Sequence, residues 1–196
     1  GIEHRSGDML QPWYAKKYCN DAYGDVEVEY DFYVENVPEG ELFIAGERPE
    51  FCKYYVNGTE VVCKDMSDFW VDVCFKKMYI PAGVVKAGKN TVTMKTLFKR
   101  TTNIESVYLV GDFGVKIEDD NKRVLVEKPK KIGMGNLREY NLPFYTGSVT
   151  YKIPNSTFNK NAESNLIELN GYCASLAKVA PADGSDKAAV LAWAPY

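Results

Sequence analysis

The residue types best suited to chemistry in this chain alternate along one predicted strand, Asp68-x-Trp70-x-Asp72. Sugars present C–H faces that pack on indole or phenol rings, and hydroxyl edges that need carboxylates or amides within hydrogen-bond reach. An aromatic platform flanked by acids on an exposed face is therefore the chemistry of carbohydrate binding. Phe69, Val71, Val73 and Phe75 alternate with Asp68, Trp70, Asp72 and Cys74, so the first row is expected to face a core and Asp68, Trp70 and Asp72 to face outward. The competing reading is plain packing, with Trp70 covering the open face of its sheet or lying against a second domain.

Catalytic constellations are nearly absent. His4 is the single histidine, which leaves no Ser-His-Asp triad and no multi-histidine metal site. Gly133-Met134-Gly135 lacks the third glycine and the strand-to-helix setting of a phosphate-binding loop. A glycosidase carboxylate pair needs about 5–9.5 Å between its groups, whereas Asp68 and Asp72 on a strand lie about 13 Å apart. Asp112, in Gly111-Asp112-Phe113-Gly114, reads as a turn residue that bonds its own backbone. No enzyme activity is expected of the chain itself. The five cysteines, at 19, 52, 63, 74 and 173, form no Cys-x-x-Cys motif, so neither a zinc site nor a thioredoxin-type pair is expected.

These residues need a scaffold, and its clearest signal is Asn57-Gly58 between two β-rich runs. A type I′ turn needs φ > 0 at both central residues, which Asn-Gly supplies at low cost. The register that follows opposes Val56 to Thr59, Tyr54 to Val61 and Cys52 to Cys63. Cys52, Tyr54, Val56, Val61 and Cys63 then share an apolar face, with Lys53, Tyr55, Glu60, Val62 and Lys64 on the wetter one. The opposed Cys52 and Cys63 lie within disulfide range by distance, but free thiols are expected for all five cysteines, in agreement with the odd count. Val26, Val28, Tyr30 and Phe32 alternate with acids as a half-buried strand. Further strands are expected at 42–45, 91–97, 107–110, 115–117 and 124–126, and after Pro129 at 148–153, 166–169 and 188–191. That spacing suits an all-β, antiparallel sandwich. The sequons at Asn57-Gly58-Thr59 and Asn155-Ser156-Thr157 read as turns.

Four segments, Tyr54-Tyr55-Val56-Asn57-Gly58-Thr59-Glu60-Val61, Lys86-Ala87-Gly88-Lys89-Asn90-Thr91-Val92, Tyr108-Leu109-Val110-Gly111-Asp112-Phe113-Gly114-Val115 and Leu142-Pro143-Phe144-Tyr145-Thr146-Gly147-Ser148-Val149-Thr150-Tyr151, occur in the order found in a known group. In them the chain resembles the galactose-binding-like jelly-roll domains of large multidomain glycoside hydrolases, of the family 2 sugar-binding type and, more closely, the α-L-rhamnosidase-like proteins. The resemblance implies an accessory module whose catalytic residues lie on another domain. It also implies a layout with an irregular lead-in at 1–25, a sandwich at 26–118, and at 119–196 a linker with strands of a second, truncated sandwich or an extension of the first. The expected function is carbohydrate binding through Asp68, Trp70 and Asp72, or alternatively structural bracing of a catalytic domain. Expected partners are carbohydrate and the neighbouring domains of the parent protein. No cofactor is expected; structural calcium is compatible with the pattern but not called for.

Composition agrees with a globular module: 45% hydrophobic and 26% charged residues in a chain of 196 can bury a full core. The net charge of −3 gives no reason to expect nucleic acid. The basic run Lys122 to Lys131 holds Pro129 and no aromatics, and reads as a solvated linker. No apolar run approaches the roughly 18 residues of a spanning helix, so no membrane partner is expected. Gly1 without a Met, and the stop at Trp193-Ala194-Pro195-Tyr196, read as cuts in a longer protein. Replacing Gly58 by Val places a Cβ against the backbone carbonyl in the left-handed region, and is expected to cost at least about 1 kcal/mol, read as a lower midpoint in thermal melts.

Overall fold

Asn57 and Gly58 both have positive φ, 48° and 79°, in a computed structural model of the chain. It describes residues 22–99, 102, 104–118, 122–171, 173–183 and 187–192. The turn joins β3 (Cys52–Val56) to β4 (Thr59–Val61) in the expected register, Tyr54 opposite Val61 and Val56 opposite Thr59. Tyr54, Val56 and Val61 are buried. The ladder ends at Val61, so Cys63 lies beyond it rather than paired with Cys52. Cys52, Cys63, Cys74 and Cys173 are free thiols. Cys19, His4, Trp13, Trp193 and most of the 1–25 lead-in lie outside the described residues.

The other strands are β1 (Ala22–Val34), β2 (Leu42–Glu47), β5 (Phe69–Trp70), β6 (Asp72–Ile80), β7 (Gly88–Lys99), β8 (Tyr108–Val110), β9 (Gly114–Ile117), β10 (Arg123–Val126), β11 (Ala177–Val179) and β12 (Ala189–Leu191). Helical turns among the described residues are two short 3-10 pieces, Leu137–Tyr140 and Asn155–Thr157. The chain divides into one compact unit to Ser148 and another from Val149.

The first unit holds a six-stranded sheet in the order β4-β3-β7-β1-β10-β9 and a four-stranded sheet in the order β5-β6-β2-β8. All pairings are antiparallel except β1 with β10. One core draws on both sheets. Val34, Val56, Val92, Met94 and Leu125 come from the first, and Leu42, Ile44, Met78 and Ile80 from the second. Each such side chain contributes about 1.5–3 kcal/mol on burial, and two sheets sharing them form a β-sandwich-like body. Val28, Tyr30 and Phe32 pack onto it from β1 while Glu27, Glu29 and Asp31 stay exposed, as their alternation requires. Gly46 makes a close approach possible, because a Cβ there would lie 3.1 Å from the Tyr54 hydroxyl and 3.2 Å from the Met78 methyl.

The boundary placed at 118 falls inside this unit. Val124, Leu125 and Val126 are buried on β10, which runs parallel beside β1. The basic run is therefore partly a core strand, not wholly a linker. From Val149 onward, β11 and β12 pair antiparallel, and no described residue is buried. The strands expected at 148–153 and 166–169 are irregular, and Leu166 is 91% exposed. A second sandwich is thus not formed among the described residues of 149–192, because strands without a covered face gain too little to order.

A buried amide ties the first unit together. Asn90 is 1% exposed. Its amide nitrogen donates to the carbonyls of Lys86 (2.7 Å) and Gly88 (3.1 Å), and its oxygen accepts from the Lys86 N–H (2.9 Å) and the Asn57 amide (2.7 Å). Asn57 also donates to the Val84 carbonyl at 2.8 Å and accepts from the Thr91 N–H at 3.0 Å. Asn90→Leu is expected to cost at least about 2 kcal/mol by stranding these partners, read as a lower urea midpoint with unchanged slope. Asn57→Ala, at a more exposed position, should cost about half as much.

Candidate functional site

In the four-stranded sheet, β2 and β6 pair Leu42 with Ile80 and Ile44 with Met78 on the core side. The alternate residues must therefore point outward. Phe43 stands opposite Tyr79, Ala45 opposite Lys77 and Glu47 opposite Phe75, while β8 places Val110 beside Phe43 and Tyr108 beside Ala45. Three strands, β2, β6 and β8, thus present Phe43, Phe75, Tyr79 and Tyr108 on one outer face.

Trp70 joins them. Its ring lies 5.6 Å from Tyr108 and 6.5 Å from Phe75, and those two meet edge to face at 5.3 Å. Trp70 is half-buried and Tyr108 41% exposed. At the other end Phe43 and Tyr79 lie 5.6 Å apart, about 13 Å from the first cluster, since Tyr79 follows Phe75 by four residue steps along β6. Ala45, flanked by Lys77 and Tyr108, is fully buried, so this face is roofed by aromatic side chains.

Asp68 is the polar centre of the face. Its carboxylate pairs with the Lys77 ammonium at 2.8 Å and accepts from the Tyr79 hydroxyl at 3.0 Å. The hydrogen bond from Lys77, then that from Tyr79, holds the Asp68 carboxyl below its ordinary value. The same carboxylate pushes Lys77 and Tyr79 up. Lys77 also sits 5.3 Å from the centre of the Phe43 ring, an arrangement that attracts cation to quadrupole.

The structure brings Asp68 and Trp70 to one face and leaves Asp72 out. The Asp72 carboxylate accepts from the N–H of Cys74 at 2.9 Å, closing a local turn as aspartates do. Asp112, expected to bond its own backbone, pairs instead with Lys128. The core row expected from Phe69, Val71, Val73 and Phe75 is also corrected. Phe69, Val71 and Val73 are 45%, 79% and 61% exposed, and Phe75 lies on the outer face with Trp70. The cause is Val71, whose φ is 63°. A β-branched residue there costs about 1–3 kcal/mol, and the chain turns at that point instead of continuing the strand. The pairing shifts from Phe69–Lys76 to Trp70–Asp72, which inverts the expected alternation.

Sequence reasoning missed Phe43, Phe75, Lys77, Tyr79 and Tyr108. The signal was the Phe75-x-Lys77-x-Tyr79 alternation with Met78 and Ile80. The outer face of the six-stranded sheet differs in kind: it carries the ion pairs Lys95–Glu27 (3.0 Å) and Lys89–Asp31 (2.8 Å), with Thr91 donating to Asp31 at 2.8 Å.

Because the native pKa of Asp68 lies below its ordinary value of 3.8, its contribution to stability is fully present above that value and is lost as pH falls through the lower native one. Asp68→Asn is therefore expected to melt below the parent chain at pH 7, with the gap closing below about pH 4, as thermal melts across a pH series will show. Compared with known proteins, the chain matches no family model, no curated protein and no solved structure.

Proposed function

We propose that this chain is a non-catalytic accessory module that binds carbohydrate on the outer face of its four-stranded sheet. The observation that carries this reading is the half-exposed Trp70–Phe75–Tyr108 cluster on the same face as the Asp68–Lys77–Tyr79 group. Rings for C–H faces and fixed polar groups for hydroxyl edges are what a sugar surface requires. The groups are pre-set, so a ligand need not order them. Asp68 retains lone pairs for a sugar hydroxyl beyond those used by Lys77 and Tyr79.

A finer assignment to the galactose-binding-like jelly rolls of larger glycoside hydrolases rests on the resemblance of the Asn57-Gly58 hairpin and the segments after it. The strand order supports it, since the chain passes between the two sheets from β1 to β2, β2 to β3, β4 to β5, β6 to β7, β7 to β8 and β8 to β9, a crossing pattern suited to a double-sheet jelly roll. Carbohydrate and the neighbouring domains of the parent protein are the partners in this reading, and it calls for no cofactor.

A structural role, bracing a catalytic domain without a ligand, is the second reading. It is favoured by the packing that Trp70 already has against Tyr108 and Phe75. A glycan-array screen followed by titration of the best hit separates the two. For the binding reading, Trp70→Ala and Tyr108→Ala should each weaken binding at least tenfold, on the order of the 1.4 kcal/mol that a lost stacking contact supplies. Trp70→Ala should leave the chain folded with a loss of about 1–3 kcal/mol, less than for a fully buried ring. No bound glycan, or full affinity in Trp70→Ala, leaves the structural reading standing.

A further inference from the structure

The sequence holds two Asn-Gly pairs, Asn57-Gly58 and Asn170-Gly171, and the fold treats them differently. An asparagine followed by glycine is open to attack on its own side chain, because no Cβ on the glycine crowds the peptide nitrogen that must reach the carboxamide carbon. Both glycines have positive φ, 79° at Gly58 and 64° at Gly171, and both asparagines are exposed. Neither the residue types nor access to water separates the two pairs.

Hydrogen bonding does. The Asn57 carboxamide donates to the Val84 carbonyl at 2.8 Å and to the Asn90 side-chain oxygen at 2.7 Å, and accepts from the Thr91 N–H at 3.0 Å. These three bonds anchor it to β7 and to the loop before β7. Turning the Asn57 carboxamide onto the Gly58 nitrogen breaks all of them, so reaction there waits for local opening. Three bonds of ordinary net strength make that opening about a hundredfold rarer. Among the described residues the Asn170 carboxamide has one partner, the Glu168 carboxylate two residues back, to which its nitrogen donates at 2.9 Å. No described residue from Val149 onward is buried, so no packing holds Asn170 away from the reactive conformation.

We propose that Asn170 is a site of spontaneous deamidation through a cyclic imide with Gly171, and that the Asn57–Asn90 network withholds the same modification from Asn57. The Gly171 peptide nitrogen bonds to Cγ of Asn170, the Cγ–Nδ2 bond breaks, and Nδ2 leaves as ammonia carrying the proton that the peptide nitrogen gives up. Water then opens the ring at either carbonyl carbon, giving aspartate or isoaspartate, with no change of oxidation state. At Asn57 the product carboxylate would face the Val84 carbonyl and the Asn90 oxygen with no proton for either, and the β3–β4 hairpin would lose its tie to β7. At Asn170 the added charge, or the added backbone methylene of isoaspartate, falls where nothing is packed. The mark of age is thus carried by the segment after Val149 while the first unit is spared. Nothing in this site depends on sugar binding, so the two proposals fail independently.

The test incubates the full chain at mildly alkaline pH, with and without urea, and follows the tryptic peptides 54–64 and 161–178, which carry one Asn-Gly pair each. Mass reports the conversion, chromatography separates aspartate from isoaspartate, and fragmentation distinguishes Asn170 from Asn161 and Asn165. In the folded chain Asn170 is expected to convert at least about tenfold faster than Asn57, whereas in urea the two should convert at comparable rates. Gly171→Ala should slow conversion of Asn170 at least about tenfold, by placing a Cβ beside the attacking nitrogen. Conversion of Asn57 as fast as that of Asn170 in the folded chain would overturn the proposal. So would an Asn170 that stays intact in the folded chain, or a preference for Asn170 that persists in urea, where neighbouring residues and not the fold decide. Full-rate conversion in Gly171→Ala would overturn it as well, since it would assign the loss of ammonia to direct hydrolysis.

Discussion

The Asn90 side chain makes four hydrogen bonds in a place where water cannot replace them, and the geometry of the first unit follows from that. Its amide closes the loop before β7 on the carbonyls of Lys86 and Gly88, and through Asn57 it fixes the tip of the β3–β4 hairpin against the start of β7. Buried polar groups with every partner in place give directional restraint that apolar contacts lack. Val56 and Val92, paired just beyond this point, then enter the core in a single register. A shift of one residue would turn Tyr54 and Val56 to the solvent, so the amide network and the apolar face specify the same pairing.

The two sheets share one core but turn unlike faces outward. The six-stranded sheet is finished by cross-strand charge pairs, as a solvated surface is. The four-stranded sheet carries five aromatic side chains and one half-buried ion pair. Packing for its own sake would be served by aliphatic side chains or by cover from another element. Rings left half open beside a fixed carboxylate are the features on which the proposed carbohydrate surface rests. The strain at Val71 belongs to the same argument, because it is the turn at that residue that sets Trp70 over Phe75 and Tyr108.

The segment from Val149 shows the opposite balance. Among its described residues, Leu166, Leu169 and Val190 stay open to solvent, and the ladder they show is the two-stranded β11–β12 pair. Conformational entropy falls on every ordered residue, and a segment whose described residues include no buried side chain has little to set against it. The first unit, with two sheets over one core, clears that threshold.

By itself the sequence determined the all-β character, the Asn57-Gly58 hairpin with its register, the half-buried alternation of β1, and Asp68 and Trp70 as residues of one outer face. Each is a local property, set by turn chemistry or by period-two alternation within a few residues. Tertiary structure decided the rest. Val71 adopts a conformation that no local preference favours, so Phe75 crosses to the outer face and Asp72 is withdrawn into a turn on Cys74. Tyr108 reaches Trp70 across β2 and β6, a contact between strands whose order in the sheet differs from their order in the chain. Arg123–Val126 becomes a core strand because β1 offers it a parallel edge. These outcomes depend on which distant surfaces meet, and alternation along a single strand carries no record of its neighbours.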